Sequence, residues 1–293
     1  MWPTLDISPD RPVLIAGPTA SGKSALAMQI AAEQGGVIVN ADSIQVYENW
    51  RILSARPSLQ DENAHPHHLY GHIGRHEDYS VGHWLRDVTP CLSGPDRPII
   101  VGGTGLYFTA LTEGLAQIPE IPADIRTRAD ARLGNHGIAA MLSDLDAGTA
   151  GRIDHLNPMR VQRAWEVLHA TGRGLAHWQD NTPPPALPLD TCHALVVDAP
   201  RDWLIPRIEA RFDLMLANGA LDEVRENMAD WNPDRLSSRA IGAPELISYL
   251  RDEMTLDQAR TAATIATRQY AKRQRTWFRA RMKSALWITP PGA

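Results

Sequence analysis

The segment from Gly17 to Ser24 constrains the fold of this chain more than any other. It reads Gly-Pro-Thr-Ala-Ser-Gly-Lys-Ser and fits the pattern G-x-x-x-x-G-K-[ST], in which backbone N–H groups cradle phosphate oxygens. The apolar run at residues 13–16 predicts a buried strand before it, and residues 25–32 predict a helix after it. The helix dipole favours an anion at the loop. We therefore predict an α/β fold with a phosphate site, for which a nucleotide such as ATP is the default ligand.

All eight residues of this loop are candidate phosphate ligands, and two side chains have specific expected roles. Lys23 is predicted to reach a terminal phosphoryl oxygen, and Ser24 is predicted to hold a Mg²⁺ ion. The candidates are Gly17, Pro18, Thr19, Ala20, Ser21, Gly22, Lys23 and Ser24.

Charge and cysteine content limit the class of protein. The net charge of −5 gives no global basic signature, so any nucleic-acid surface must be local. The two cysteines, Cys91 and Cys192, are far apart and predict a reducing compartment instead of a disulfide framework. The first residues do not resemble a signal peptide, and no apolar run is long enough to span a bilayer. We expect a cytoplasmic monomer without membrane contact.

Two further apolar runs, residues 37–40 and 97–101, predict more strands of a parallel sheet. Asp42 follows the first of these runs. Loops after parallel strands collect at one edge of the sheet, so Asp42 is expected near the phosphate loop. On the residues alone, Asp42 is an N-cap or turn residue, a Mg²⁺ ligand or a general base. Glycines and Thr104 follow the second run, where many P-loop NTPases have an acidic residue, and they indicate either close approach of a ligand or a tight turn.

Histidines concentrate in the segment after the second strand. A metal cluster and ordinary loop or structural histidines are the two interpretations, and the spacing matches no zinc pattern. The histidines are His65, His67, His68, His72, His76 and His83.

The middle of the chain differs from its flanks. From Pro119 helical spacing dominates, and no strand-like run returns until Cys192. We predict a helical insertion at residues 119–189, within a core made of residues 1–118 and 190–293.

The final helix is predicted to begin at the capping box Thr255 to Gln258, and its later half is basic. Either this is an ordinary solvated face or it binds a polyanion, and the acidic overall charge favours the polyanion. The basic residues are Arg268, Lys272, Arg273, Arg275, Arg279, Arg281 and Lys283.

These segments together resemble the tRNA dimethylallyltransferases, also called tRNA isopentenyltransferases. The most specific matches are Asp-Ser-x-Gln-Val-Tyr at residues 42–47 and Gly-Gly-Thr-Gly-Leu-Tyr at residues 102–107. The resemblance implies a P-loop NTPase-like parallel sheet with a helical insertion. It also implies transfer of a dimethylallyl group from dimethylallyl diphosphate to N6 of adenine 37, in tRNAs reading codons that begin with U. In that reaction the loop grips the prenyl diphosphate, with Mg²⁺ on Ser24, instead of ATP.

The resemblance also implies residue roles. Asp42 matches the family's general base, Lys23 neutralises the leaving diphosphate, and Thr104 and Arg239 flank the bridging oxygen. Arg126 matches a further substrate contact. The remaining residues implied to contact the anticodon stem-loop are Ser43, Ile44, Gln45, Met159, Arg160, Val161, Gln162 and Arg163.

The chain departs from the family pattern at three positions. Met159 stands where glutamine is usual, Ala243 replaces a common aromatic residue, and Arg56 replaces a lysine while keeping the charge. Two other functions fit the residues. A P-loop kinase would consume ATP, and an RNA-binding module without chemistry would bind RNA but turn nothing over.

Overall fold

The computed structural model describes residues 2–293 and divides into two compact units. The first comprises Met1–Thr112 and Ala186–Ala293, and the second is Glu113–Pro185. The sequence places the insertion at residues 119–189, somewhat later at both ends. The structural division follows the end of a helix at Thr112, which helical spacing alone does not reveal.

The first unit is built on a parallel sheet, which confirms the predicted α/β class. Its strand order is β3-β2-β4-β1-β5-β6, and every pair is parallel. The two edge strands were not predicted, because runs of two or three residues carry no clear apolar pattern. The strands are β1 (Val13–Ala16), β2 (Val37–Asn40), β3 (His67–His68), β4 (Pro98–Gly102), β5 (His193–Val197) and β6 (Leu286–Ile288).

The helices of this unit cover the sheet or form a bundle beside it. Among residues 2–293, no helix combines the length and the apolarity needed to cross a membrane. The helices of the first unit are α1 (Lys23–Gln34), α2 (Leu59–Ala64), α3 (Val81–Leu92), α4 (Gly105–Thr112), α9 (Arg201–Ala217), α10 (Ala220–Asn227), α11 (Ala243–Leu250) and α12 (Leu256–Arg281).

Strands β1, β2 and β4 are buried throughout, and β5 is buried from Leu195 onward, as expected of parallel strands between helices. Alternate side chains point to opposite faces. Ile15 and Ile99 pack with Leu26 and Ile30 of α1, whereas Ile100 packs in the cluster on the other face. These two layers fix β1, α1 and the loop between them.

A third cluster joins the helices that follow β5. Phe212 of α9 packs with Trp50, Leu246 and Ala263, which ties α9 to α11 and α12. The predicted capping box of α12 is confirmed, since Thr255 Oγ1 accepts a hydrogen bond from Gln258 N–H at 3.2 Å. In this arrangement α9 and α12 lie beside the loop that follows the carboxyl end of β1.

The second unit is helical and has its own core. Ile125, Met141, Val161 and Trp165 pack in one cluster, and Gly137, with φ +74°, interrupts the long α5. Asn157 caps α7, as its position before Pro158 predicts. Its helices are α5 (Ala123–Ser143), α6 (Ala147–Ala150), α7 (Pro158–Thr171) and α8 (Leu175–Asp180).

Candidate functional site

The phosphate loop lies between β1 and α1, as predicted. Ala20 and Gly22 have φ of +62° and +89°, and this backbone geometry turns successive N–H groups inward. Helix α1 begins at Lys23, so the N–H groups of its first turn have no partner within the helix. The hydroxyl of Ser21 is buried and lacks a hydrogen-bond partner. An orphaned buried donor beside free helix amides fits a bound anion.

Side chains from α9 and α12 fix the shape of this loop. Gln274 accepts a hydrogen bond from Thr19 N–H at 2.8 Å and donates one to Gly103 O at 3.0 Å. Gln274 is only 5% exposed; its bond to Gly103 is buried, and its bond to the half-buried Thr19 is partly buried. Arg207 Nε donates to Ala20 O at 3.1 Å. The phosphate loop is therefore fixed by α9 and α12 as well as by the strand and helix that flank it.

Asp42 is positioned by Asn40, the buried last residue of β2. Asn40 Oδ1 accepts from Asp42 N–H at 2.8 Å, and Asn40 Nδ2 donates to Asp42 O at 2.9 Å. The carboxylate of Asp42 accepts from Ile44 N–H through Oδ1 at 3.0 Å. This bond fixes one carboxylate oxygen and leaves Oδ2 to act on a substrate.

Thr104 joins the loops that follow β4 and β2. Its Oγ1 accepts from Ser43 N–H at 2.9 Å and donates to Ser43 Oγ at 3.3 Å. The neighbouring glycines are explained by protein contacts, because a Cβ on Gly102 would lie 2.0 Å from Ala41 O. A Cβ on Gly103 would lie 2.1 Å from Gln274. These contacts give the two glycines a reason outside the two sequence-based expectations, which is close packing against Ala41 and Gln274.

Two cavities meet at the phosphate loop and Asp42. The first has a volume of about 560 Å³, and the second about 420 Å³. Both are lined by Thr19, Ala20, Asp42, Ser54, Ala55 and Arg211.

The cavities differ in their other walls. The first adds Lys23 and Ser24, together with Gln45 and Arg56. The second combines apolar side chains with three arginines, Arg211, Arg239 and Arg273. Its distinct lining includes Ser43, Ile44, Leu53, Ile208, Phe212, Met215, Arg239, Ile241, Tyr270 and Arg273.

The side chain of Lys23 has a lowered pKa in the first cavity. Desolvation lowers the pKa of its ammonium to about 8; Asp42 opposes this shift, and Arg211 adds to it. Desolvation also lowers the pKa of Arg211, again opposed by Asp42. Cations in a water-poor pocket with few counter-charges favour binding of a multivalent anion.

Gln45 is committed in part to the protein. Both hydrogens of its amide nitrogen are used, since Nε2 donates to Ser54 O and to Ala55 O at 2.9 Å each. Its side-chain oxygen is the group available to a substrate. Ile44 is half-buried at the apolar cavity, where it can face a ring but cannot donate a hydrogen bond from its side chain.

The remaining predicted contacts lie in the second unit. Arg126 is exposed in the first turn of α5, and Met159, Arg160 and Arg163 are exposed on α7. Val161 differs, because its side chain is fully buried in the core of this unit. Its side chain therefore packs the unit and is removed from the set that can face RNA.

Gln162 is also engaged within the second unit. Its Nε2 donates to Asp130 Oδ1 at 2.7 Å and to Glu166 Oε1 at 3.3 Å. Arg163 lies 3.6 Å from the Glu166 carboxylate. The bond to Asp130 joins α5 to α7, whereas the two contacts with Glu166 lie within α7.

The histidines have local structural contacts. His67 and His68 form β3, His83 closes the capping box of α3, and His76 lies 3.0 Å from Asp230. In the part of the chain that the structure describes, no group of three or more His, Cys, Asp or Glu is arranged to hold a metal ion. Cys91 and Cys192 are both free thiols.

The basic half of α12 is partly paired with acids from other elements. Arg279 contacts Asp198 at 3.0 Å, and Arg268 lies 4.0 Å from Glu209 of α9. A basic groove of about 770 Å³ runs between α9 and α12. Its cationic lining residues are Arg201, Arg268, Lys272, Arg275 and Arg279.

Sequence reasoning missed Asn40, Gln274 and Arg211 as site residues. Asn40 ends a predicted strand two residues before Asp42, which is a signal that it positions that loop. Gln274 matches a family segment but looks like one more polar residue on a basic helix. Arg211 carried no usable signal, because only the packing of α9 brings it to the phosphate loop.

Two family models match this chain, and their matches overlap. Residues 45–281 match the family model described as IPP transferase, and residues 11–66 match the one described as isopentenyl transferase. A tRNA dimethylallyltransferase of Cereibacter sphaeroides is 62% identical, with 96% of this chain and 89% of that protein covered. One from Dinoroseobacter shibae is 63% identical, with 98% and 97% covered.

Two solved structures of tRNA-modifying transferases have a fold similar to that of this chain. The full-length tRNA isopentenylpyrophosphate transferase from Bacillus halodurans superposes with a TM-score of 0.67 at 30% identity, covering 96% of this chain and 90% of that one. A eukaryotic dimethylallyltransferase acting on tRNA gives a TM-score of 0.83 at 24% identity, covering 96% and 74%. At that identity the second likeness concerns the fold alone.

Proposed function

The chain belongs to the IPP transferase family, the tRNA dimethylallyltransferases, and is a prenyltransferase; we propose that it acts on adenine 37 of tRNA. The donor is dimethylallyl diphosphate, the acceptor atom is the exocyclic N6, and diphosphate is released. The acceptors proposed are tRNAs that read codons beginning with U. The observation that carries this proposal is the shared lining of two cavities, where one carboxylate, Asp42, meets the phosphate loop and Arg211.

The first cavity suits the diphosphate. Loop amides and the Lys23 ammonium supply donors and positive charge, and the orphaned Ser21 hydroxyl lies in the same loop. These groups act more strongly as the charge on the bridging oxygen grows during bond cleavage, which favours the transition state. Arg239, exposed beside the second cavity, is proposed to reach the same oxygen together with Thr104.

Magnesium is proposed as the cofactor of this cavity. The hydroxyl of Ser24, in the first turn of α1, would hold it together with diphosphate oxygens. An all-oxygen donor set with few protein ligands is what Mg²⁺ prefers in phosphate sites. When bound, the ion supplies further neutralisation of the leaving group.

Asp42 is proposed as the general base. Atom N6 attacks C1 of the dimethylallyl group, the bond from C1 to the bridging oxygen breaks, and its electron pair leaves with diphosphate. The proton of N6 passes to Asp42 Oδ2, while Oδ1 stays bonded to Ile44 N–H. Adenine must leave the anticodon-loop stack to reach this half-buried carboxylate. The Gln45 side-chain oxygen can accept the second hydrogen of the amino group.

The apolar wall of the second cavity would receive the prenyl chain and the adenine face. Ile44, Leu53 and Phe212 give a surface that excludes water from the reacting atoms. Exposed Arg126, Met159, Arg160 and Arg163 of the second unit, and the basic groove on α12, would contact the RNA backbone.

A P-loop kinase is the competing function. The family assignment favours prenyl transfer, and β4 ends in Gly102, where many P-loop NTPases have an acidic metal ligand. The test compares tRNA nucleosides by mass spectrometry from cells with and without this gene. N6-dimethylallyladenosine should be present only with the gene, and loss on Asp42→Asn should match gene deletion. Equal amounts with and without the gene would reject the proposal.

A further inference from the structure

Helix α9 presents one arginine to both cavities. The α9 residues that line a cavity recur every three or four positions, which makes two adjacent stripes on the helix surface. Arg211 belongs to both stripes. The stripes are Arg207, Ala210, Arg211 and Leu214 at the first cavity, and Ile208, Arg211, Phe212 and Met215 at the second.

The guanidinium of Arg211 is not neutralised by an ion pair. Among residues 2–293, no carboxylate lies within ion-pair distance of it, although Asp42 is close enough to raise its pKa. Burial and Arg207 both lower that pKa. By contrast, Arg260 of α12 is paired with a carboxylate, that of Asp213 of α9. A half-buried cation without a partner is costly unless a ligand supplies the charge.

Arg211 and Lys23 act on one another. Both cations line the first cavity, so their like charges repel one another there. Lys23 reaches this cavity from α1, and Arg211 reaches it from α9. An anion bound by both would remove the repulsion, and an anion with two phosphoryl groups offers each cation its own oxygens.

We propose that Arg211 is a further diphosphate ligand, which contacts the anion from α9 while Lys23 and the loop amides contact it from α1. The planar guanidinium suits two phosphate oxygens at once. In the reaction it would stabilise the departing diphosphate without taking or giving a proton. This role rests on the proposed function only for the identity of the prenyl donor. The anion site itself is inferred from the residues that line the cavity.

The test is direct binding of inorganic diphosphate and inorganic phosphate to the full-length protein by calorimetry. Arg211→Gln should weaken diphosphate binding at least about tenfold and phosphate binding less, because only the larger anion spans both cations. The diphosphate affinity of Arg211→Lys should lie between those of the wild type and Arg211→Gln. Arg225→Gln, which breaks an exposed ion pair with Asp222 on α10, should match the wild type.

Unchanged diphosphate affinity in Arg211→Gln would overturn the inference. So would an equal loss of both anions accompanied by a lowered melting temperature, because that marks a role in folding. If Arg211→Gln does not fold, Arg211→Lys decides: a several-fold loss of diphosphate affinity supports the inference, and wild-type affinity rejects it.

A transfer assay separates this inference from the proposed function. Wild-type protein that transfers the prenyl group, with Arg211→Gln transferring and binding equally well, would reject the role of Arg211 alone. Wild-type protein that binds diphosphate through Arg211 but never transfers a prenyl group would reject the proposed function alone.

Discussion

The side-chain oxygen of Gln274 accepts a hydrogen bond of 2.8 Å from the backbone N–H of Thr19, which ties α12 to the phosphate loop. The same amide donates to Gly103 O, so one buried side chain spans the loops after β1 and β4. The relative position of these loops therefore depends on a residue near the end of the chain.

Replacement of Gln274 should separate these loops. Gln274→Ala leaves the Thr19 N–H and the Gly103 carbonyl without their partner, and each buried unpaired group costs about 1–3 kcal/mol. We expect a lower melting temperature and a higher KM for dimethylallyl diphosphate. Thr261→Ala, an exposed position on the same helix, is the control for changes in α12. A Gln274→Ala protein with wild-type KM and melting temperature would contradict the bridging role.

Asp42→Asn tests the proposed base. The amide keeps an oxygen for Ile44 N–H, so the loop should stay in place, but it cannot take the proton. General-base catalysis is worth roughly 10²–10⁴-fold, so the transfer rate should fall by that factor while donor and RNA affinities are retained. Asp230→Asn, at an exposed ion pair with Arg75, is the control. An unchanged single-turnover rate would remove Asp42 from this role.

The lowered pKa of Lys23 predicts a pH dependence of donor binding. In the free protein the ammonium loses its proton as pH rises through about 8, instead of near 10.5. Only the charged form attracts diphosphate, and the bound anion raises the pKa again. Donor affinity should therefore be full below this pKa and fall as the pH rises above about 8. Calorimetry without RNA measures it.

Lys23→Arg is the matched variant for that pH series. Its guanidinium stays charged throughout the range, so its donor affinity, even if weaker, should remain flat. An equally steep decline in this variant would assign the pH dependence to another group.

Substitutions of two nearby residues of α7, Val161 and Met159, should have different effects on stability and on RNA binding. Val161 is fully buried, whereas Met159 is 70% exposed. Val161→Ala should lower the free energy of unfolding by about 1–2 kcal/mol through lost apolar burial and a small cavity. Met159→Ala should leave stability unchanged and weaken binding of an anticodon stem-loop. Thermal unfolding and fluorescence anisotropy measure the two effects, and a reversed pattern would contradict the assignment.

The basic groove between α9 and α12 predicts a salt effect. If Lys272 contacts one phosphate, Lys272→Gln should reduce the slope of log affinity against log salt by about 1. Arg225→Gln should leave the slope unchanged, because Arg225 lies on α10 and pairs with Asp222. An unaltered slope in Lys272→Gln would exclude the groove from RNA binding.

Much of this fold follows from local pattern, and the rest depends on long-range packing. The inner strands, α1 and the capped ends of α7 and α12 are set by apolar runs and capping residues within each segment. The phosphate loop and the nearness of Asp42 follow from the geometry of parallel sheets. β3 and β6 have no comparable signal, because pairing at the sheet edge creates them.

The candidate site shows the same limit. Arg211 and Gln274 reach the phosphate loop from helices distant in sequence, so only tertiary packing reveals them. The burial of Val161 could have been predicted, since Val161, Ala164 and Trp165 form an apolar stripe at helical spacing. The family resemblance implied contacts for every residue from 159 to 163, although a helix turns some of these side chains to the core and others to solvent.

The most direct test of the account is transfer of radiolabel from dimethylallyl diphosphate to a synthetic anticodon stem-loop. An RNA with adenine at position 37 should become labelled, whereas the same RNA with purine at that position, which lacks the 6-amino group, should not. Label on both RNAs, or consumption of ATP with the five-carbon donor left intact, would contradict it.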